Sequence, residues 1–388
     1  MKLFRSLLFW LHLSTGVTAG VVVLIMSITG VLLTYEKQIT RWAETHALDG
    51  APPSGDAKPL DVATLVERAR SASTALPSAI TWRAAADAPV EVAFGRERTV
   101  YLNAYTGAVL GDGASVPRRF FRAVTDWHRW LGREGPRRAL GKKITGSANV
   151  GFLFIVVSGL YLWWPRHWTS RTLRSVTVFR RGLRSKARDF NWHNVIGLWS
   201  WAPLVIVVAS GVVISFPWAS NLVYRAVGES APTVRPPAAP GPAAVATLDL
   251  SGLDALVDRA RQRSPDWRSI TLTLPTKPDA PATFAIDRGT GGQPQKRGEL
   301  QLDRRSGEEV RWQPFSAGTP GRRLRTILRF AHTGEVLGIG GQTIAGLVSL
   351  GAVVLVYTGL ALTLRRFVKW RRRRHRFGHE RATPAATR

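Results

Sequence analysis

Four stretches, approximately residues 14–35, 144–164, 195–218 and 343–364, are apolar almost without interruption and contain no Asp or Glu. Each is long enough to cross about 30 Å of hydrocarbon as a helix. Between them the hydrophobic period changes. "LDVATLVERARSA", from Leu60, repeats its apolar positions at helical spacing. "VEVAFG" and "TVYLNAYTGAVL" alternate instead, which predicts hairpin strands around an Asn-x-x-Thr-Gly turn. After the third span "LVDRAR" repeats the helix, and "SITLTL", "ATFAID" and "ELQLDRRSGEEV" repeat the strands. "RRFFRAVTDWHRWL" and "RRLRTILRFAH" predict amphipathic helices just before spans two and four. The Pro/Ala-rich "APTVRPPAAPGPAA" reads as a linker.

These signals divide the chain into eight segments. Residues 1–36 hold the N-terminus and first span, and 37–117 a first extramembrane domain. Residues 118–165 hold an amphipathic helix and span two, 166–190 a basic loop, and 191–218 span three. Residues 219–321 form the linker and a second extramembrane domain. Residues 322–365 hold another amphipathic helix and span four, and 366–388 a basic tail. "MKLFR" resembles the basic start of a secretion signal. The apolar run behind it exceeds the usual 7–15 residues and lacks a small-residue cleavage site, so an uncleaved helix is expected.

The net charge of +28 decides orientation rather than nucleic-acid binding. Residues 166–188 carry eight Lys and Arg, and the tail after Leu364 carries ten. Positive-inside bias puts both, with the short "MKLFR" end, in the cytoplasm, and both long inserts outside. Contact with anionic lipid is the ordinary role of such juxtamembrane clusters. The chain has no cysteine, which excludes iron–sulfur clusters, thiolate-ligated haem, CxxCH attachment and disulfides.

The chain also reads as a tandem duplication. Placing His12 on His193 brings Gly16 onto Gly197 and Gly30-Val31 onto Gly211-Val212 without a gap. "ITGSANVGFLFIVVSGL" from Ile144 aligns with "IAGLVSLGAVVLVYTGL" from Ile344, matching Gly146, Gly151 and Gly159 to Gly346, Gly351 and Gly359.

The "YLNAYTGAVLG" and "LQLDRRSGEEVRW" hairpins, each after an "LV-acid-RAR" helix, resemble PepSY domains. With four spans and "SGLYLWWPR" closing the second, the whole chain resembles the PepSY-associated transmembrane family. The fold expected from pattern and resemblance together is an all-α four-helix transmembrane bundle with two periplasmic α+β PepSY-like domains. The family includes ferric-siderophore reductases of the bacterial inner membrane, so the resemblance implies a multi-pass protein there with cytoplasmic termini. It also implies an oxidoreductase acting on metal ions, with a ferric siderophore as periplasmic partner.

Four of the eight histidines recur in the repeat. His12 and His193 stand at the cytoplasmic ends of spans one and three; His128 and His332 precede spans two and four on the exported side. His46, His167, His375 and His379 lie in polar or Arg-rich stretches and read as solvated. Ionisable residues at membrane depth are costly and point to function. Two imidazoles at each face, without carboxylates or thiolates, suit the axial ligation of a b-type haem better than a three- or four-ligand zinc site. Two haems b are therefore expected, one on His12/His193 and one on His128/His332. Gly16 and Gly197 lie one turn beyond their histidines. Gly30 and Gly211 lie 14 residues further, about 21 Å along the helix. Each of the four suits either approach of a flat macrocycle or close helix packing. Arg5, Arg129, Arg325 and Arg329 suit either propionate neutralisation or an interfacial role. Trp10, Trp127, Trp192 and Trp199 suit either haem packing or an aromatic belt.

The expected activity is transmembrane electron transfer that reduces a ferric siderophore and releases Fe(II). No G-x-G-x-x-G follows a strand, so the donor is a separate cytoplasmic protein or a quinol. The competing expectation is a haem-free PepSY sensor or peptidase regulator. A transporter built from parallel repeats is a weaker third, since broken spans and midplane polar residues are missing.

Overall fold

The computed structural model describes residues 2–95, 98–165, 169–232, 250–275 and 280–382. His167 and the linker from residue 233 onward lie outside the described residues, as do the side chains of His46, His375 and His379.

Four long helices match the apolar stretches: α1 (Lys2–Leu33), α5 (Arg138–Trp163), α7 (Ser185–Ser215) and α11 (Gly338–Ala382). All four are long and apolar enough to cross a membrane. Each runs past its apolar core, because the flanking Lys- and Arg-rich segments are good helix formers and simply continue the backbone ladder. Neighbours pack in the cyclic order α1, α5, α7, α11, so α1 lies diagonal to α7, and α5 to α11. Val23, Phe152, Val156, Leu204, Val208 and Ala352 form the apolar centre.

The intervening segments add α2 (Glu36–Ala47), α3 (Val62–Arg70), β1 (Ala79–Arg83), β2 (Val90–Phe94), β3 (Arg98–Leu102), β4 (Val109–Gly111) and α4 (Ser115–Trp130). A short α6 (Ser170–Thr177) lies in the basic loop, and α8 (Pro217–Arg225) follows α7. The second insert holds α9 (Leu253–Arg263), β5 (Ser269–Thr273), β6 (Ala282–Asp287), β7 (Arg297–Leu302), β8 (Glu309–Pro314) and α10 (Pro320–Ala331).

Both hairpin turns follow their sequence chemistry. Asn103 Oδ1 accepts from the Tyr105 and Thr106 amides, and Asp303 Oδ1 from those of Arg305 and Ser306. Gly107 and Gly307 then take φ of +69° and +70°, where a Cβ is strained.

The inserts differ from the expected pair of separate domains in one respect. Their strands form a single antiparallel sheet in the order β4-β3-β2-β1-β5-β6-β7-β8. The reason is that each insert leaves its first strand as an open edge, and pairing β1 with β5 removes both edges at once. Thr81 sits opposite Thr271 at the centre of that junction, their hydroxyls 2.9 Å apart. The core is correspondingly shared: Leu65 and Val66 of α3, Leu256 and Val257 of α9, and Ile80, Val92, Ile270, Leu272, Phe284 and Leu300 of the strands form one cluster.

The sheet is tied to the bundle in each half. Glu44 of α2 accepts from the Tyr101 hydroxyl at 3.0 Å and pairs with Arg118, near the start of α4. Burial, reinforced by the charges of Glu91 and Glu44, pushes the Tyr101 phenol well above its usual range, so it remains a donor. Lys37 of α2 reaches across to the buried Glu335, just before α11, at 2.7 Å, and in the second half Gln295 donates to the Val336 carbonyl.

A candidate site of four tethered histidines

His12 on α1 and His193 on α7 project from diagonal helices at the basic end of the bundle. Their Nδ1 atoms lie 2.9 Å from Ser158 Oγ of α5 and 2.9 Å from Thr358 Oγ1 of α11, respectively. At the sheet end, His128 of α4 lies 2.9 Å from Thr29 Oγ1 of α1. His332, which caps α10, donates through Nδ1 to the Val207 carbonyl of α7 at 2.8 Å, with Ser210 Oγ at 3.4 Å.

The Val207 carbonyl fixes the tautomer of His332, and the hydroxyls bear on the other three. Thr29 and Thr358 each donate their hydroxyl proton to the carbonyl four residues back, Ile25 at 2.7 Å and Val354 at 2.8 Å. Ser158 contacts the carbonyl three residues back, Ile155, more weakly at 3.3 Å. A hydroxyl oxygen so engaged is left as an acceptor, and a carbonyl can only accept. For His332 the carbonyl makes Nδ1 the donor and leaves Nε2 its lone pair, and the other three rings take the same form when the hydroxyl proton stays on its own helix carbonyl. Nε2 takes part in none of the hydrogen bonds among the described residues. A neutral imidazole held through Nδ1–H with Nε2 free is the form that binds a metal.

The rings of His128 and His332 face each other with centroids 6.3 Å apart and planes at 58°. A ring nitrogen sits about 2.0–2.1 Å from a bound metal, so two trans imidazoles sharing one ion have centroids roughly 6 Å apart. At that separation the two imidazoles would be able to hold one metal ion between them. Among the described residues no three or more His, Asp or Glu side chains converge.

The glycines divide into two kinds. A Cβ on Gly30 would lie 3.7 Å from His128 Cε1, and one on Gly211 only 3.1 Å from His332 Cε1 and 2.8 Å from Asn149 Nδ2. The histidine rings themselves fill the space at these two. A Cβ on Gly16 would meet nothing within 4 Å, and one on Gly197 only Leu355 at 3.7 Å, so room remains beside the basic-end histidines. Gly159 and Gly359 also belong to the site, facing His12 Cε1 at 3.4 Å and His193 Cε1 at 3.5 Å.

Of the candidate arginines, Arg5 caps the end of α5 by donating to the Leu162 and Trp164 carbonyls. Arg325 donates to Ser220 Oγ. Arg129 lies over the Trp130 ring at 4.7 Å, and Arg329, three residues from His332, over Phe330 at 5.7 Å. Trp10, Trp127, Trp192 and Trp199 are exposed on the outside of the bundle, which leaves them the belt role.

Sequence reasoning missed the partners Thr29, Ser158, Ser210 and Thr358 as well as Gly159 and Gly359. The signal was present: in the two repeat registers Thr29 falls on Ser210, Ser158 on Thr358 and Gly159 on Gly359. Single hydroxyls in apolar spans pass as helix back-bonding until an imidazole is seen beside them.

No curated protein matches the chain. Residues 9–366 match the family described as PepSY-associated TM region, and the chain accordingly belongs to the PepSY-associated transmembrane family.

Proposed function

We propose that this protein binds two haems b and carries electrons across a bacterial inner membrane to reduce ferric siderophores on the sheet side, releasing Fe(II). The observation that carries this reading is the facing pair His128 and His332, 6.3 Å apart with both Nδ1 atoms tethered. Bound haem would supply a reversible one-electron couple at each end of the bundle.

The chain's own residues do the rest. His128 and His332 hold one group, and His12 and His193 the other. The hydroxyls of Thr29, Ser158 and Thr358 and the Val207 carbonyl fix ring orientation and raise ligand basicity. Open space at Gly16 admits a flat group at the basic end, and Arg329 offsets negative charge on the group held at the sheet end. The apolar centre keeps water from the path. The basic end faces the cytoplasm by charge bias, where it meets anionic lipid and a donor protein or quinol. The sheet then lies in the periplasm and forms the docking floor for a chelate. The matched hydroxyls and glycines support origin by tandem duplication.

Detergent-purified protein from haem-replete cells is expected to show a low-spin b-type spectrum and two haems per chain. Colourless protein would return the family's other reading, a sensor or peptidase regulator. Replacing either His12 or His193 by Ala should remove one spectral component, and replacing either His128 or His332 the other. With ferric siderophore and a ferrous trap, His332→Ala should block reoxidation by chelate while the basic-end component stays reducible.

A further inference from the structure

Helices α1 and α7 each touch both histidine pairs. α7 carries His193 and holds His332 through Val207, fourteen residues later, about 21 Å along the axis. Coupling between electron carriers decays steeply with distance through saturated side chains, so what fills this interval matters. The apolar centre is aliphatic there except for Phe152 and Trp201. Trp201 lies eight residues after His193 and six before Val207, about 12 and 9 Å along the helix.

The indole at this level comes from one half only. Where α7 has Trp201, the register that places His12 on His193 gives α1 Gly20, whose Cβ would meet Leu360 at 3.4 Å. Trp201 Nε1 is moreover buried without a hydrogen-bond partner. An unpaired buried donor costs free energy that a phenylalanine or leucine would avoid, and each such group calls for an explanation. Stability does not supply one. An indole does offer the largest π system of any side chain, and this one packs against a core that is otherwise aliphatic but for Phe152.

We propose that Trp201 is the aromatic bridge over which electrons pass between the two histidine pairs, an inference that rests on the two-haem reading above. One electron leaves the reduced centre at the basic end and arrives at the oxidised centre at the sheet end. No bond forms or breaks, no proton moves, and the indole is not consumed.

The test uses full-length protein in vesicles, with Trp201→Phe and Trp201→Leu beside the unaltered chain. Both spectral components and both midpoint potentials should be unchanged in each variant. The transfer rate between the components should fall at least tenfold in Trp201→Leu and recover most of the way in Trp201→Phe. A second readout needs no haem: thermal melting of haem-free Trp201→Phe should occur at or above the unaltered temperature, because the unpaired donor is gone. Transfer at the unaltered rate in Trp201→Leu would overturn the proposal. So would a Trp201→Phe variant as slow as the leucine variant, or one that melts clearly lower. Colourless unaltered protein would instead overturn the two-haem reading, and the bridge with it.

Discussion

With its hydroxyl proton on its own helix carbonyl, Thr358 presents an oxygen that accepts from His193. Thr358→Val keeps the shape and removes that acceptor. Loss of such an outer partner typically weakens metal binding by about 10–100-fold, so haem titration of this variant should show the basic-end component retained far more weakly. Glycine changes should separate the two ends. Gly211→Ala pushes a methyl into Asn149 and His332, and overpacking of this kind costs about 1–3 kcal/mol. It should lower the melting temperature and disturb the sheet-end component together. Gly16→Ala enters open space and should melt as the unaltered protein does. Gly16→Leu fills that space, so it should lower haem content while leaving the haem-free fold intact.

Elements respond as the shared sheet dictates. Leu272 of β5 is fully buried and lies opposite Ile80 of β1. Leu272→Ala is expected to cost about 2–5 kcal/mol. Because β1 and β5 are one ladder, hydrogen exchange should accelerate in β1 to β3 as well as in β5 to β7; loss confined to the second insert would contradict a single cooperative sheet. At the start of α3, Asp61 accepts from the Thr64 amide at 2.8 Å. That bond, and then the Thr64 hydroxyl, holds the Asp61 carboxyl below its ordinary 3.8. The cap's electrostatic contribution is therefore present above pH 3.8 and is lost as pH falls through the lowered value. Asp61→Asn caps nearly as well, so acid melts should show unchanged stability at neutral pH and a shallower loss below pH 4.

At the scale of the whole molecule, the two ends are held by different physics. The sheet end rests on a continuous apolar core and on the Glu44–Arg118 and Lys37–Glu335 pairs. The basic end is fastened by Asp189, only 1 % exposed, which accepts from Arg365 of α11 at 2.6 Å and from Arg188 at 3.0 Å. Its partners Arg365 and Arg188 stay 35 % and 43 % exposed, so removing Asp189 chiefly costs the tie between α7 and α11 and leaves the arginine charges screened by solvent. Asp189→Ala should therefore loosen α7 from α11 and lower the detergent melting temperature. Protection of the sheet amides should be unchanged.

What the sequence determined by itself was whatever depends on local order. Uninterrupted apolar runs must become spanning helices, since lipid leaves the backbone no other partner. Alternation and Asn-x-x-Thr-Gly must become hairpins, because the turn needs a side-chain acceptor at its first position and a positive φ at its last. The repeat register brought Gly16, Gly30, Gly197 and Gly211 into line with the four histidines for the same reason, a constant rise per residue along a helix. Only the tertiary structure decided the pairing of β1 with β5, because either edge was free to remain open and nothing local chooses its partner. It alone decided that Ser158, Thr358, Thr29 and Val207 hold the imidazoles, since each lies on a helix remote in sequence from the ring it orients. Trp201 shows the same limit. A tryptophan in an apolar span reads like any other belt residue until packing turns it inward and leaves its Nε1 without a partner.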